Sequence, residues 1–488
     1  MKKAVLLAAG YDFRNHPGLS LQIVPPLGIL SIGSYLASRG IPVELIDVQV
    51  DFGVGMTQEA ESAVCGRVIG YLQKQSADIG WIGVSLLSNT GFGIPLARLI
   101  HVALPDVPIV LGGYYPTTNC ESLLRNQSFI SAIVLGDGEE AALRISRSLD
   151  RREPFLSNLT PNLAWLGPDG EVRRTALEPI CLEDAPILDV RLLSNLPHYP
   201  AMDLVSSRGC PFACSYCLES RMRPYSEYPS TWLRRQLDHL QTHAPGRPVL
   251  ILDPIFVVSR RRTLEICEVL RAYSFRYHVE SRVDTISPEL VPVLRTAGVD
   301  LVFLGLESAS ADTLLRMRKV GSLPAAERYL ARALDVVESC FKNDITVMLN
   351  IMLDFPGDRE LDLQATVEFA VRARRLYDRS GARAGFAPSI LFTSIFSGSQ
   401  LAERLQAGDF PGVTLQDSAF DGEKTVVSSS SETDPGLAGR YAEELRRLGA
   451  ASSPLFAERL SSVCFSPAGF MATHPELTDS EGVTLLRP

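Results

Sequence analysis

Cys210, Cys214 and Cys217 fall within eight residues, in the run Cys210-Pro-Phe-Ala-Cys214-Ser-Tyr-Cys217. Three thiolates on one tight loop are a ligand set for a soft metal centre, because cluster iron and zinc both take thiolate sulfur. Zinc motifs ordinarily pair two Cys-x-x-Cys knuckles, and no second knuckle exists in the sequence. A cubane iron–sulfur cluster matches better: three corners are ligated and the fourth iron is left open to an outside ligand. The plain alternative is three packed core cysteines. That bland reading is the one given to Cys65, Cys120, Cys181, Cys267, Cys340 and Cys464. Nine cysteines, an odd number scattered over 488 residues, do not make a disulfide framework.

A ligand loop needs elements to hold it. From about residue 200 the sequence alternates apolar runs with helical patterns. Strands are predicted at Asp203–Ser207, Val249–Asp253, Tyr277–Val283, Leu301–Leu306, Ile345–Leu353 and Ile390–Phe396. Helices are predicted near 230–243, 260–272, 288–297, 310–341 and 360–378. Six such repeats imply an open, partial (β/α)6 barrel of the TIM type over 201–400. The cysteine loop directly follows its first strand, at the end where barrel chemistry is found.

The first 150 residues show a second alternation. Val5–Ala9, Val43–Val48, Ile79–Leu87, Ile109–Leu111 and Ala132–Leu135 read as buried strands, with helical spacing near 28–39, 57–76, 93–103, 121–126 and 139–149. Five strand–helix repeats imply a doubly wound, Rossmann-like α/β domain over 1–150. Ligands of such folds sit outside the carboxyl ends of the strands. Residues 151–200 read as a linker, in which Asn162–Trp165 and Glu171–Arg174 resemble a hairpin. Residues 401–488 read as a small carboxyl-terminal cap or substrate-side domain.

Composition bounds the class. At 46% hydrophobic and 21% charged, the chain is globular in character. A formal charge of −9 argues against a broad nucleic-acid surface. No apolar stretch is long enough for a membrane span. Met1-Lys2-Lys3 leads into a short apolar run that reads as a strand and not as a signal peptide. The expected compartment is the cytoplasm.

The cysteine loop with its preceding Arg208-Gly209 resembles the cluster motif of the radical S-adenosylmethionine superfamily. Val302-Phe-Leu-Gly305-Leu-Glu307-Ser308-Ala309-Ser310, followed by Thr313-Leu-Leu-Arg316-Met317-Arg318-Lys319, is similar to the fourth-strand motif of one branch. Asn350-Ile-Met-Leu-Asp-Phe-Pro356-Gly357-Asp358 is similar to its Pro-Gly motif after strand five. The resemblance implies a [4Fe–4S] cluster on Cys210, Cys214 and Cys217. It also implies S-adenosylmethionine chelated to the open iron and cleaved to a 5′-deoxyadenosyl radical. By motif position Tyr216 is expected near the adenine and Glu307 at the bound cofactor, with Asp253 and Arg282 as further cofactor contacts.

The amino-terminal domain resembles the cobalamin-binding domain that precedes the radical domain in one large branch. The residues that carry this are Pro25-Pro26-Leu27-Gly28-Ile29-Leu30, Glu44-Leu-Ile-Asp47, Ser85-Leu86-Leu87-Ser88-Asn89-Thr90-Gly91, Leu111-Gly112-Gly113 with Tyr114, and Gly136-Asp137-Gly138-Glu139. Glycines let backbone approach a large ligand closely, and small hydroxyl residues bond amide and phosphate groups. The Asp-x-His-x-x-Gly motif, whose His binds cobalt in many cobalamin proteins, is absent. His16 and His101 sit in other contexts, and Tyr114 and Tyr115 stand where relatives often have Pro-His.

Together the two resemblances imply methyl transfer to an unactivated carbon or phosphorus of a small molecule or peptide, with an electron donor such as flavodoxin or ferredoxin. A radical cyclisation or ring rearrangement using the same cofactors is the alternative. A methylthiotransferase fits poorly, since its extra cluster cysteines and basic tail are missing. A cobalamin sensor would have no use for an intact cluster loop.

Overall fold

The computed structural model describes residues 2–10, 24–55, 57–86, 91–417, 424–428 and 437–449. The expected contacts Ser88, Asn89 and Thr90 lie outside the described residues, as do His16 and Cys464.

Five parallel strands form the first sheet: β1 (Lys3–Ala8), β2 (Val43–Asp47), β3 (Ile79–Ser85), β4 (Ile109–Gly112) and β5 (Ile130–Val134). Their order is β2-β1-β3-β4-β5. Except for the edge strand β2, which carries Glu44 and Asp47, they are largely apolar runs because helices cover both faces. Leu27–Ala37 and Glu139–Asp150 pack on one face, and Gln58–Lys74 and Gly93–Ala103 on the other.

The expected linker is partly sheet. β6 (Leu163–Leu166) and β7 (Val172–Arg174) form a hairpin that extends the first sheet antiparallel from β5. The Gly167-Pro-Asp-Gly170 turn closes it, with Gly170 at φ +78°. Leu163, Ala164 and Trp165 are buried against the sheet's helices, and that burial draws the segment into the domain.

The second sheet contains β8 (Met202–Leu204), followed after the short antiparallel pair β9 (Ser207–Arg208) and β10 (Ser226–Glu227) by β11 (Val249–Ile251), β12 (Tyr277–Arg282), β13 (Val299–Glu307), β14 (Thr346–Leu353) and β15 (Phe386–Phe392). Six parallel strands lie in the order β15-β14-β13-β12-β11-β8, an open partial barrel. β15 begins at Phe386, ahead of the expected Ile390. Pro388, which weakens the strand pattern, is tolerated because β15 is an edge. The helix Leu437–Gly449 packs on β15 and on the helix Glu360–Ser380, and covers that edge. β16 (Ser394–Ile395), β17 (Thr414–Asp417) and β18 (Lys424–Ser428) make a small antiparallel sheet. No helix among the described residues is long and apolar enough to cross a membrane.

Candidate functional site

The cysteine loop leaves β9 through Gly209, at φ +71°. A Cβ there would lie 2.5 Å from the Pro224 carbonyl oxygen, so only glycine lets the chain pass. The loop is then stapled from two sides. The Ser215 amide donates to the Met317 carbonyl at 2.9 Å, and the Leu401 amide donates to the Ser215 carbonyl at 2.7 Å. Tyr216 packs with Met317, Phe355 and Leu401 in a small apolar cluster. The helix Gln400–Gln406 thus belongs to the cluster side of the barrel.

The three thiols are half-buried, whereas Cys65, Cys120, Cys267 and Cys340 are in the core. Burial pushes Cys217 up to about 11 and raises Cys210, and the neighbouring thiols of the loop add to both. Lys319 works in the opposite direction on both, and Arg282 on Cys210. Arg282 also donates to Cys214 Sγ at 3.3 Å, is locked bidentately on Asp284, donates to the Lys319 carbonyl, and lies over the Phe212 ring. Its place is therefore at the cluster loop. Among the described residues no three His, Cys, Asp or Glu side chains are gathered as a single-ion site. A cubane asks for a different arrangement, since each thiolate takes its own iron. Three mutually influencing, half-exposed thiols beside two cations fit that group.

Glu307 ends β13 with φ +67°, a left-handed conformation that costs a non-glycine residue energy. Lys319 holds it there, Nζ to Oε1 at 2.9 Å, with both side chains largely buried. Gly305 makes the room: a Cβ on it would stand 2.7 Å from Glu307 Oε1. Strain held in place by an ion pair at the carboxyl end of a barrel strand is consistent with a ligand-facing carboxylate.

Asp253, expected as a cofactor contact, is fully buried and hydrogen-bonded within the protein. Its carboxylate accepts from the Ser206 amide at 2.6 Å, the Ser206 hydroxyl at 2.5 Å and the Ser207 amide at 2.9 Å, with Arg262 at 3.6 Å. It orients the segment entering the cysteine loop.

Between the two sheets lies a cavity of about 500 Å³. The expected contacts Pro26, Leu27, Gly28, Ser85, Gly112, Gly113, Tyr114, Gly136 and Glu139 all line it. Leu86 does not; its side chain is in the core, and its backbone is what presses on Gly113. Gly113, at φ +103°, would place a Cβ 2.2 Å from the Leu86 carbonyl oxygen. Tyr114 donates its hydroxyl to Glu219, two residues beyond Cys217. Gln49 Oε1 and Glu139 Oε2 belong to cavity-lining residues and are buried without a partner among the described residues. Glycine-rich walls and orphaned acceptors fit a large ligand edged with carboxamide donors, as a corrin is.

Sequence reasoning passed over the ties between the domains. Arg208 donates to Asp137 at 3.0 Å, to Glu139 at 2.8 Å and to the Ser31 hydroxyl at 2.8 Å, and Arg223 joins Asp137 at 2.7 Å. Burial alone would raise the Glu139 carboxyl, but the Arg208 charge, its hydrogen bond and Ser31 bring it down to about 2. Asp203 and Glu280, inside the barrel, were also missed; an acid in the apolar run Met202-Asp203-Leu204 was the available signal.

Two family models match the chain: the radical SAM superfamily over residues 204–370 and the B12 binding domain over residues 20–146. The anaerobic magnesium-protoporphyrin IX monomethyl ester cyclase of Synechocystis is 27% identical over 71% of this chain and 69% of its own length. The hopanoid C-3 methylase of Methylococcus capsulatus is 24% identical over 69% of this chain, a region spanning 62% of that protein. Among solved structures, the cobalamin-dependent S-adenosylmethionine radical enzyme OxsB, with aqua-cobalamin and S-adenosylmethionine bound, shares the fold. Its TM-score is 0.70 at 18% identity, covering 98% of this chain and 71% of OxsB.

Proposed function

Because the chain belongs to the cobalamin-dependent radical S-adenosylmethionine family, whose cofactors are a [4Fe–4S] cluster, S-adenosylmethionine and cobalamin, we propose that it is a methyltransferase. Its acceptor is an unactivated carbon or a phosphorus of a small molecule or peptide. The observation that carries this is one of adjacency: Gly209, Glu219 and Met222, which flank the cysteine loop, also line the cavity between the domains. Both reacting groups would therefore lie beside one shared space.

When bound, the cluster and S-adenosylmethionine supply radical chemistry and cobalamin supplies a methyl carrier. The chain's own part is holding and shielding. Cys210, Cys214 and Cys217 would hold the cluster, with Arg282 donating to Cys214. Glu307, fixed by Lys319, would help to hold S-adenosylmethionine through its carboxylate, and Tyr216 would lie near the adenine. Pro26, Leu27, Gly112 and Gly113 wall the corrin side, and the apolar lining excludes water from it. An electron donor such as flavodoxin or ferredoxin would reduce the cluster.

The cyclase named among the relatives supports a second reading, radical ring chemistry without net methylation. The two differ in their by-products. Methylation consumes S-adenosylmethionine in two ways and leaves S-adenosylhomocysteine and 5′-deoxyadenosine in comparable amounts. Under turnover with methyl-labelled S-adenosylmethionine, 5′-deoxyadenosine alone, with an unlabelled product, would replace the methyltransferase with the cyclase.

A further inference from the structure

Asp203 lies on β8 and lines the inter-domain cavity, yet its side chain is only 2% exposed. Its Oδ1 is buried with no hydrogen-bond partner among the described residues. The group that acts on it is another acid, Glu280. The sheet register explains their meeting. Asp203 pairs with Leu250 on β11, Leu250 pairs with His278 on β12, and Glu280 is the next residue of β12 on that face.

Nothing on the described chain neutralises the pair. Arg282 is spent on Asp284 and Cys214, Lys319 on Glu307, and Arg262 on Asp253 and Glu227. Arg208 and Arg223 are spent on Asp137 and Glu139, and His278 stands 3.3 Å from Asp300. The other charges that reach Glu280 are also acids, Glu307, Glu219 and Asp253. A buried carboxylate without a counter-charge is costly, and an arriving cation relieves that cost. Asp203, a buried and unpartnered acid on the cavity wall with a second acid, the half-buried Glu280, acting on it, is a recognition feature and adds nothing to packing.

We infer that Asp203 and Glu280 form a cation-receiving subsite, so that the molecule acted upon carries a basic nitrogen, an amine or guanidine, near the reacting atom. The inference rests on the proposed function for the position of that atom, and adds the substrate class. The carboxylates would anchor the nitrogen on the barrel wall, leaving the rest of the substrate in the apolar space between cluster loop and corrin pocket.

S-adenosylmethionine also carries cationic groups, so the test separates the two sources. Full-length protein reconstituted anaerobically with cluster and cobalamin is titrated calorimetrically with benzylamine and hexylamine, against benzyl alcohol and hexanol. Binding of S-adenosylmethionine is measured separately by equilibrium dialysis. The expected result is amine binding at least tenfold tighter than alcohol binding. Asp203→Asn and Glu280→Gln, which preserve shape, should each abolish that preference and leave S-adenosylmethionine binding unchanged. Amines that bind no better than alcohols overturn the subsite. So does loss of S-adenosylmethionine binding with the amine preference intact, which would give the acids to the cofactor. Iron and cobalt contents of the same samples separate this failure from failure of the family chemistry: at full load, an absent amine preference counts against the subsite alone.

Discussion

Arg208 and Glu139 are bonded across the domain boundary, Nη2 to Oε1 at 2.8 Å, with side chains 10% and 3% exposed. Arg208 is two residues from Cys210, and Glu139 opens the helix Glu139–Asp150 on the cavity wall. One ion pair therefore ties the cysteine loop to the wall of the inter-domain cavity. Replacing Arg208 by Leu leaves Glu139 a buried charge without a cation and Asp137 with Arg223 alone, and should cost about 3–5 kcal/mol in denaturant unfolding. Lys should recover only part of this, since one ammonium cannot reproduce the guanidinium's fan of donors to Asp137, Glu139 and Ser31.

A second tie is acid-sensitive in the opposite sense to an ordinary salt bridge. Asp47 caps the helix Val48–Phe52 and accepts from the Tyr199 hydroxyl at 2.9 Å. Burial, then the charge of Asp51, raises it from 3.8 to about 7. The folded state thus keeps a proton that the unfolded chain releases. This contribution to stability is complete below 3.8 and is lost as pH rises through about 7. Asp47→Asn should remove it, so the melting temperature of the variant relative to the parent should increase between pH 4 and pH 7.5. A constant difference across that range would contradict the assignment.

Gly113→Ala tests the pocket wall. The added methyl meets the Leu86 carbonyl at 2.2 Å in a left-handed backbone, so backbone must move. The variant should lose cobalamin affinity by more than tenfold in equilibrium dialysis while its iron content stays parental, because the cluster loop is on the other domain.

Glu307→Gln tests the strained carboxylate. Lys319 would be left buried without its counter-charge. S-adenosylmethionine binding should weaken by at least tenfold, with iron and cobalt contents unchanged. Unchanged binding would remove Glu307 from the cofactor site.

The architecture was legible because both sheets are parallel and covered by helices, so their strands stand out as short apolar runs between helical patterns. The cysteine spacing was legible for a local reason: all its ligands are on one loop. β15 was placed late because Pro388 and Ser389 break its apolar run, a break that an edge strand tolerates. The β6–β7 hairpin was seen as a hairpin but not as sheet, since pairing with β5 is a long-range fact. Long range also hid the bonds from Arg208 to Ser31, Asp137 and Glu139, which are 69 to 177 residues away. The bonds from Ser206 and Ser207 to Asp253 were not legible, because an acid at a strand end looks the same in sequence whether it meets a ligand or its own backbone.

The proposed chemistry requires one chain to carry both a [4Fe–4S] cluster and cobalamin, with residues that flank the cysteine loop lining the inter-domain cavity. Anaerobic purification with cobalamin supplied, followed by iron, sulfide and cobalt analysis, tests it most directly. The expected result is about four irons and about one cobalt per chain, with iron lost and cobalt kept in Cys214→Ala. A well-folded protein that takes up neither metal would contradict it.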